Sequence, residues 1–249
     1  LGITVKDIIV LSSDTDLTPF DVGAYASSTT FISGNAVKKA ALQAREQIIK
    51  VAAKILDVKP EEVDLMDGKA VVVSGPAGSP SGRSCLLSEV AHTAFYYHDQ
   101  HQIMGVASHY AQSSPPPFAA HFAEVSVDTE TGQVVVLDYV STVDCGTAIN
   151  PTLAEGQNDG AVLNGLSYAL CEEMSFSPSG AMTNASFRDY KIFSTADAPP
   201  FKTILIPTYE ADGPFGAKSV SEIGINGPQP AIANAIYDAV GVRLFSPPF

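Results

Sequence analysis

Apolar residues recur at helical spacing from about residue 37: Val37, Ala41, Ala44, Ile48, Ala52 and Ile55. Lys38, Gln43, Arg45, Glu46 and Lys50 fall mostly between them, so the spacing predicts an amphipathic helix. Ahead of it, "IIVLSSD" (8–14) is an unbroken apolar run that predicts a short buried strand, and "TPFDVGAYASSTT" (18–30) is a loop of small residues. In "VDLMDGKAVVVSG" (63–75) an Asp-Gly pair separates two β-rich runs and predicts a hairpin. "LLSEVAHTAFYY" (86–97) predicts a helix and "SSPPPF" (113–118) a stiff connector. The clearest strand signal lies over 118–146, where two alternating runs flank a turn at Thr131 and Gly132. Asn150 then offers a cap and Pro151 suits the first helical position, predicting a helix to about Glu173. "MSFSPSGAMTN" predicts a second hairpin, "TILIPTYE" (203–210) a strand, and "PAIANAIYDAVGV" (230–242) a helix with Ile232, Ile236 and Val240 on one face. Strands and helices mix without a steady βαβ period. The fold class is therefore α+β, mixed sheets with packed helices.

Composition narrows the function classes. A chain of 249 residues with 45% hydrophobic and 16% charged residues can bury a substantial core, as one large domain or two smaller lobes. The formal net charge is −13 and no basic stripe appears, which excludes nucleic acid as a partner class. No run of 18 apolar residues is present, so no membrane span is expected. Cys85, Cys145 and Cys171 are odd in number, far apart and without a CxxC pair. They point away from a disulfide framework or zinc site and toward a reducing, cytoplasmic setting. Of the five histidines only His98 and His101 are close, with Asp99 between them; a metal cluster would need a third convergent ligand. No metal site built from side chains is expected. The start at "LGITVKD", without methionine or a signal pattern, reads as a processed chain or a piece of a longer protein.

Three stretches carry candidate chemistry. In "GAYASSTTFISGN" (23–35), free N–H groups at a helix start and the hydroxyls of Ser27, Ser28, Thr29 and Thr30 can hold an anion such as a phosphate. Simple N-capping by one hydroxyl explains the same pattern. In the segment 144–173, Gly156, Gly160 and Gly165 sit inside a predicted helix at a cost of roughly 1 kcal/mol each against alanine. Their presence predicts close approach by another helix or a ligand. Gln157 among them faces either that ligand or solvent. In "GPFGAKSVSEIGINGP" (213–228), Glu222 is the single acid of a glycine-rich loop. Set among Val220, Ile223 and Ile225, it is either a desolvated carboxylate with a raised pKa, suited to act as a base, or a solvated turn residue. Lys218, four residues before it, is a possible ion-pair partner.

Taken in order, these stretches resemble the molybdopterin-binding region of the xanthine dehydrogenase/aldehyde oxidase family. "GPFGAKSVSEIGINGPQPAIANAIYDAVGVRL" is similar to its C-terminal signature, with a Gly-Ala-Lys loop and an active-site glutamate. "VDCGTAINPTLAEGQNDGAVLNGLSYALCEE" resembles its D-x-G-x-x-(I/L)-N-P…G-Q segment, "DVGAYASSTTFISGNAVKKAA" its cofactor-facing loop and helix, and "FRDYKIFSTADAPP" its DYxxPTxxDxP approach. Ser219 and Ser221 replace glycines of the usual GAKGVGE loop.

The resemblance implies that residues 1–249 are the C-terminal part of a molybdopterin-binding domain. It matches Glu222 to the family's catalytic base. It matches Ala26, Ser27, Ser28 and Thr29 to the segment that wraps the cofactor, Gln157 to a glutamine that hydrogen-bonds it, and Gly216 and Lys218 to the Gly-Ala-Lys loop beside it. The implied cofactor is molybdopterin, alone or as a dinucleotide. The implied reaction is oxidative hydroxylation of a small molecule, either an N-heterocycle (purine-, xanthine- or nicotinate-like) or an aldehyde. Implied partners are the upstream part of the molybdenum subunit, an FAD subunit and an iron–sulfur subunit, since none of those sequences is present. Two other accounts remain: a structural or interaction domain that is inactive and cofactor-free by itself, and an unrelated anion-binding protein using the Ser27–Thr30 helix start.

Overall fold

A computed structural model describes residues 1–74, 79–97 and 100–249, the side chains of 74 and 79–81 excepted. His98 and Asp99 of the close histidine pair lie outside the described residues. Contacts divide the chain into two compact units, 1–23 with 32–110 and 24–31 with 111–249. Each contains helices and a three-stranded sheet, so the α+β expectation holds.

In the first unit, α1 (Thr29–Leu56), which begins in the second unit, buries Ile48, Ala52 and Leu56. They pack with β1 (Val63–Met66), β2 (Lys69–Ser74), β3 (Ser79–Leu86) and α2 (Leu87–Tyr96) through Val63, Leu65, Ala70 and Val90. The 63–75 hairpin forms as predicted over its described part. Met66 pairs with Lys69, and Asp67 and Gly68 carry φ of 47° and 74°, the left-handed pair a two-residue turn requires. The expected strand over 8–14 does not form. Residues 8–12 carry no regular structure, and Ile9, Val10 and Leu11 are exposed. A short apolar run becomes a strand only where a partner strand takes up its N–H and C=O groups, and none pairs with it among the described residues.

The second unit contains the candidate site residues. β4 (Phe118–Val127) and β5 (Val134–Asp144) are antiparallel; β6 (Phe201–Leu205) joins β5 in parallel. The strand expected over 203–210 thus ends at Leu205, two residues before Pro207, which has no N–H to give a ladder. α3 (Pro151–Leu170) starts as predicted. Pro151 is its first residue, and the Leu153 amide donates to Asn150 Oδ1 at 3.2 Å. The expected hairpin in 174–184 is reduced to a single bridge, Phe176 to Met182. α4 (Pro228–Val240) ends at Gly241, whose φ of +72° is the left-handed stop glycine takes without strain. Tyr139, Val162, Leu166, Ile232 and Ile236 form the core of this unit, each with at most 3% of its surface exposed. Burying each aliphatic among them contributes roughly 1.5–3 kcal/mol.

Candidate functional site

The glycine-rich loop is laid down by β5 and the residues just after it. The Lys218 amide donates to the Cys145 carbonyl at 2.9 Å and the Thr147 amide to the Gly216 carbonyl at 2.8 Å. Gly216 has φ +89°, and a Cβ there would run into the Tyr209 ring, so this position needs glycine twice over. Lys218 is buried. Its ammonium donates to Asp144 Oδ2 at 2.7 Å and to the Pro116 carbonyl at 2.9 Å. The ion pair raised for Lys218 therefore forms with Asp144 and not with Glu222. Burial alone would push the Asp144 carboxyl up. The bonds from Lys218, Thr208 and the Gly146 amide outweigh it and hold the group below its ordinary value. This pair fixes the loop at its base.

Beyond Lys218 the chain rises through Ser221, at φ +155°, into a single 3-10 turn, Glu222–Gly224. Ser221 occupies a conformation that favours glycine, as expected where a serine replaces one. Glu222 is exposed, so the apolar neighbours Val220, Ile223 and Ile225 do not desolvate it within this chain. It is nonetheless held. The Ser27 hydroxyl donates to Glu222 Oε2 at 2.9 Å, and the Glu222 amide donates back to Ser27 Oγ at 3.0 Å. Two of the sequence candidates, 195 positions apart, are thereby brought together. Ala26 and Ser27 both have left-handed φ, 51° and 54°. Such residues cost on the order of 1–2 kcal/mol each when they are not glycine. The Ser28 amide and hydroxyl both donate to the Tyr25 carbonyl, at 3.1 and 2.7 Å, and steady that bend. α1 then begins at Thr29, and its first turn contains no acid.

α3 supplies the third element. Of its three glycines, Gly165 makes the expected close approach, since a Cβ there would meet Pro228 of α4 and the Ile225 carbonyl at 2.6 and 2.9 Å. Gly156 and Gly160 do not; a Cβ at either would find nothing within 4 Å. Gln157 is exposed between them. The polar residue that sequence reasoning missed is Asn158, with no exposed surface. Its Nδ2 donates to Ser141 Oγ at 3.0 Å and to Thr203 Oγ1 at 2.7 Å, tying α3 to β5 and β6. Its Oδ1 lies 2.5 Å from where a Gly224 Cβ would be, so it sits directly under the Glu222 turn. The signal was available: Asn158 lies four residues after Ala154 and four before Val162, on the buried stripe.

A family model described as a molybdopterin cofactor-binding domain matches residues 1–199, four-fifths of the chain. The chain belongs to this molybdopterin cofactor-binding family. The matched residues include Ala26–Thr29 and Gln157; Gly216, Lys218 and Glu222 lie after them. The chain is 39% identical over 240 residues to the probable hypoxanthine oxidase XdhD of Escherichia coli K12, covering 96% of this chain and 24% of that protein. It is 33% identical over 247 residues to the putative xanthine dehydrogenase molybdenum-binding subunit XdhA of the same organism, covering 98% and 32%. Among solved structures, the Cu,Mo-CO dehydrogenase in its carbon monoxide-reduced state superposes with a TM-score of 0.79 at 27% identity, over 91% of this chain and 28% of that one. The chain thus spans a quarter to a third of the length of the relatives it matches.

The molybdopterin-family residues fit the group the family is named for. The start of α1 offers hydroxyls and helix-end amides; its own first turn contains no acid, while Ser27 is already engaged by Glu222. The Gln157 face of α3 is left open by two glycines where side chains would otherwise stand. Among the described residues no three His, Cys, Asp or Glu side chains gather into a metal-binding group. The donors on offer are hydroxyls and amides, suited to hydrogen-bonding an organic cofactor with a phosphate.

Proposed function

We propose that this chain is the part of a molybdenum hydroxylase subunit that carries the catalytic base, Glu222. One observation carries the reading: an exposed carboxylate on a pinned turn, tied to the helix start that the family match covers. Bound molybdopterin supplies the redox chemistry of the hydroxylation. The residues of this chain hold and orient. Ala26, Ser27, Ser28 and Thr29 form the bend that faces the phosphate side of the cofactor; with Ser27 engaged by Glu222 and Ser28 by the Tyr25 carbonyl, the donors are Thr29 and the helix-end amides after it, and Gln157 offers its amide from α3. Gly216 and Lys218 act one step back, by fixing the loop. Glu222 takes a proton at its carboxylate, and Ser27 keeps one oxygen aimed while the other is left for the substrate side.

The substrate class is an N-heterocycle of the purine type, supported by the names of the two Escherichia coli relatives. The whole enzyme includes the upstream part of the molybdenum subunit, with FAD and iron–sulfur partners to carry electrons away. A cytoplasmic setting agrees with the three free cysteines, and no described helix is long and apolar enough to cross a membrane.

The test is Glu222→Gln in the assembled enzyme. Turnover falls by about 10²–10⁴ while molybdenum and pterin content hold; near-normal turnover refutes the assignment. A second reading is favoured by the coverage of 24% to 32% of the relatives: alone, the chain is a folded part that binds no cofactor. Stoichiometric pterin on the isolated chain refutes that one.

A further inference from the structure

The Glu222 turn rests on a histidine that neither the sequence motifs nor the family match assigns. His121 lies on β4 and Tyr139 on β5, their side chains on the same face of the sheet. The Tyr139 hydroxyl is 2.9 Å from His121 Nδ1, and the two rings are 5.9 Å apart. Tyr139 has no exposed surface, and burial pushes its pKa upward, so the phenol keeps its proton. When the neutral phenol donates its hydrogen bond to Nδ1, the hydrogen of a neutral imidazole sits on Nε2. Burial keeps His121 on the neutral side by lowering its pKa, with the Ile223 backbone acting in the opposite direction.

The other edge of the ring is set against the turn. Nε2 is buried and completes no hydrogen bond, and the Ile223 backbone lies within reach of the imidazole. The ring occupies the space that a Cβ at Gly227 would need, with Cδ2, Cγ and Nε2 all in the way. It therefore braces the chain at Ile223, next to Glu222, and at Gly227, where α4 begins. A buried polar edge without a partner carries a standing cost of about 1–3 kcal/mol. A phenylalanine would remove that cost but leave the buried Tyr139 hydroxyl without its partner, so His121 and Tyr139 act as a pair.

We infer that His121, locked by Tyr139, is a positioning residue for Glu222: it sets the height and tilt of the 3-10 turn from beneath while Ser27 sets the carboxylate from above. The inference rests on the reading of Glu222 as the base. Its test uses Tyr139→Phe in the assembled, cofactor-loaded enzyme, which removes one hydroxyl and keeps the core volume. The expected result is a fall in kcat of roughly tenfold to a hundredfold, with KM and molybdenum content unchanged. Amide hydrogen exchange should quicken in peptides covering 220–227 and stay as in the wild type over 48–56.

Gly227→Ala, whose methyl would displace the ring, should give the same signature. Wild-type exchange at 220–227 in Tyr139→Phe overturns the proposal. So does faster exchange spread evenly through the chain, which would mark Tyr139 as a plain core residue. Glu222→Gln in the same preparation separates the two readings. If that variant turns over normally the base assignment fails, whereas the exchange data still decide whether His121 braces the turn.

Discussion

Lys218→Met tests the anchor of the glycine-rich loop. The ammonium and carboxylate are 2.7 Å apart, with only 8% and 14% of the two side chains exposed. At an effective permittivity of about 20, the gross attraction of two unit charges about 3 Å apart is on the order of 6 kcal/mol. Desolvation of both groups offsets much of it. Removing one partner of a buried pair costs about 3–5 kcal/mol, because the other charge is left stranded. Asp144 keeps its bonds from Thr208 and the Gly146 amide, so the lower end applies, about 3 kcal/mol. Methionine retains most of the alkyl stem, which limits the packing loss.

The assay is urea unfolding of the chain, followed by circular dichroism at pH 7, in a cycle with Asp144→Asn and the double variant. The double variant should recover roughly half of the loss, since no charge is stranded. The pH dependence has a definite sign. The folded carboxyl lies below its ordinary 3.8, so its contribution is complete above that value and is lost as pH falls through the folded pKa. The gap between wild type and Asp144→Asn should therefore be flat from about pH 5 to 8 and close below about pH 4. A Lys218→Met variant within about 1 kcal/mol of wild type would refute the reasoning, as would a double variant no more stable than the single.

Two further outcomes follow from the loop and the helix start. Ser221→Gly relieves a φ of +155° and should raise stability by about 1 kcal/mol in the same unfolding assay; a loss would show that serine makes a contact that matters there. Ser27→Ala removes both bonds to Glu222 and should lower kcat roughly tenfold with KM little changed, as measured by steady-state kinetics of the assembled enzyme.

The elements that sequence made legible are those whose signals are local. The Asp67–Gly68 turn, the Asn150–Pro151 helix start and the Ile232–Ile236–Val240 stripe each depend on a few adjacent residues. What was not legible depends on distant pairing. β6 lies parallel to β5 across the whole of α3, and nothing in "TILIPTYE" states its direction. Ile9–Leu11 has the composition of a strand, but strand formation depends on a partner that the segment does not encode. At the site, motif resemblance singled out Glu222 and Ser27, yet their mutual bonds follow only from the fold. No sequence signal singled out His121, because its partners, Tyr139, Ile223 and Gly227, lie far from it along the chain.

The tie between Ser27 and Glu222 also sets a schedule for the growing protein. The hydroxyl leaves the ribosome 195 residues before the carboxylate it will hold. At typical synthesis rates that gap lasts about 10–40 s. Closing a loop of this length carries an entropic cost of roughly 5 kcal/mol, which two hydrogen bonds at an exposed residue do not offset alone. The contact therefore forms as a consequence of α3, α4 and the sheet having packed, and it cannot nucleate their folding. Residues 24–31 spend that interval joined to a first unit whose own core can already close, waiting for the surface to which they belong.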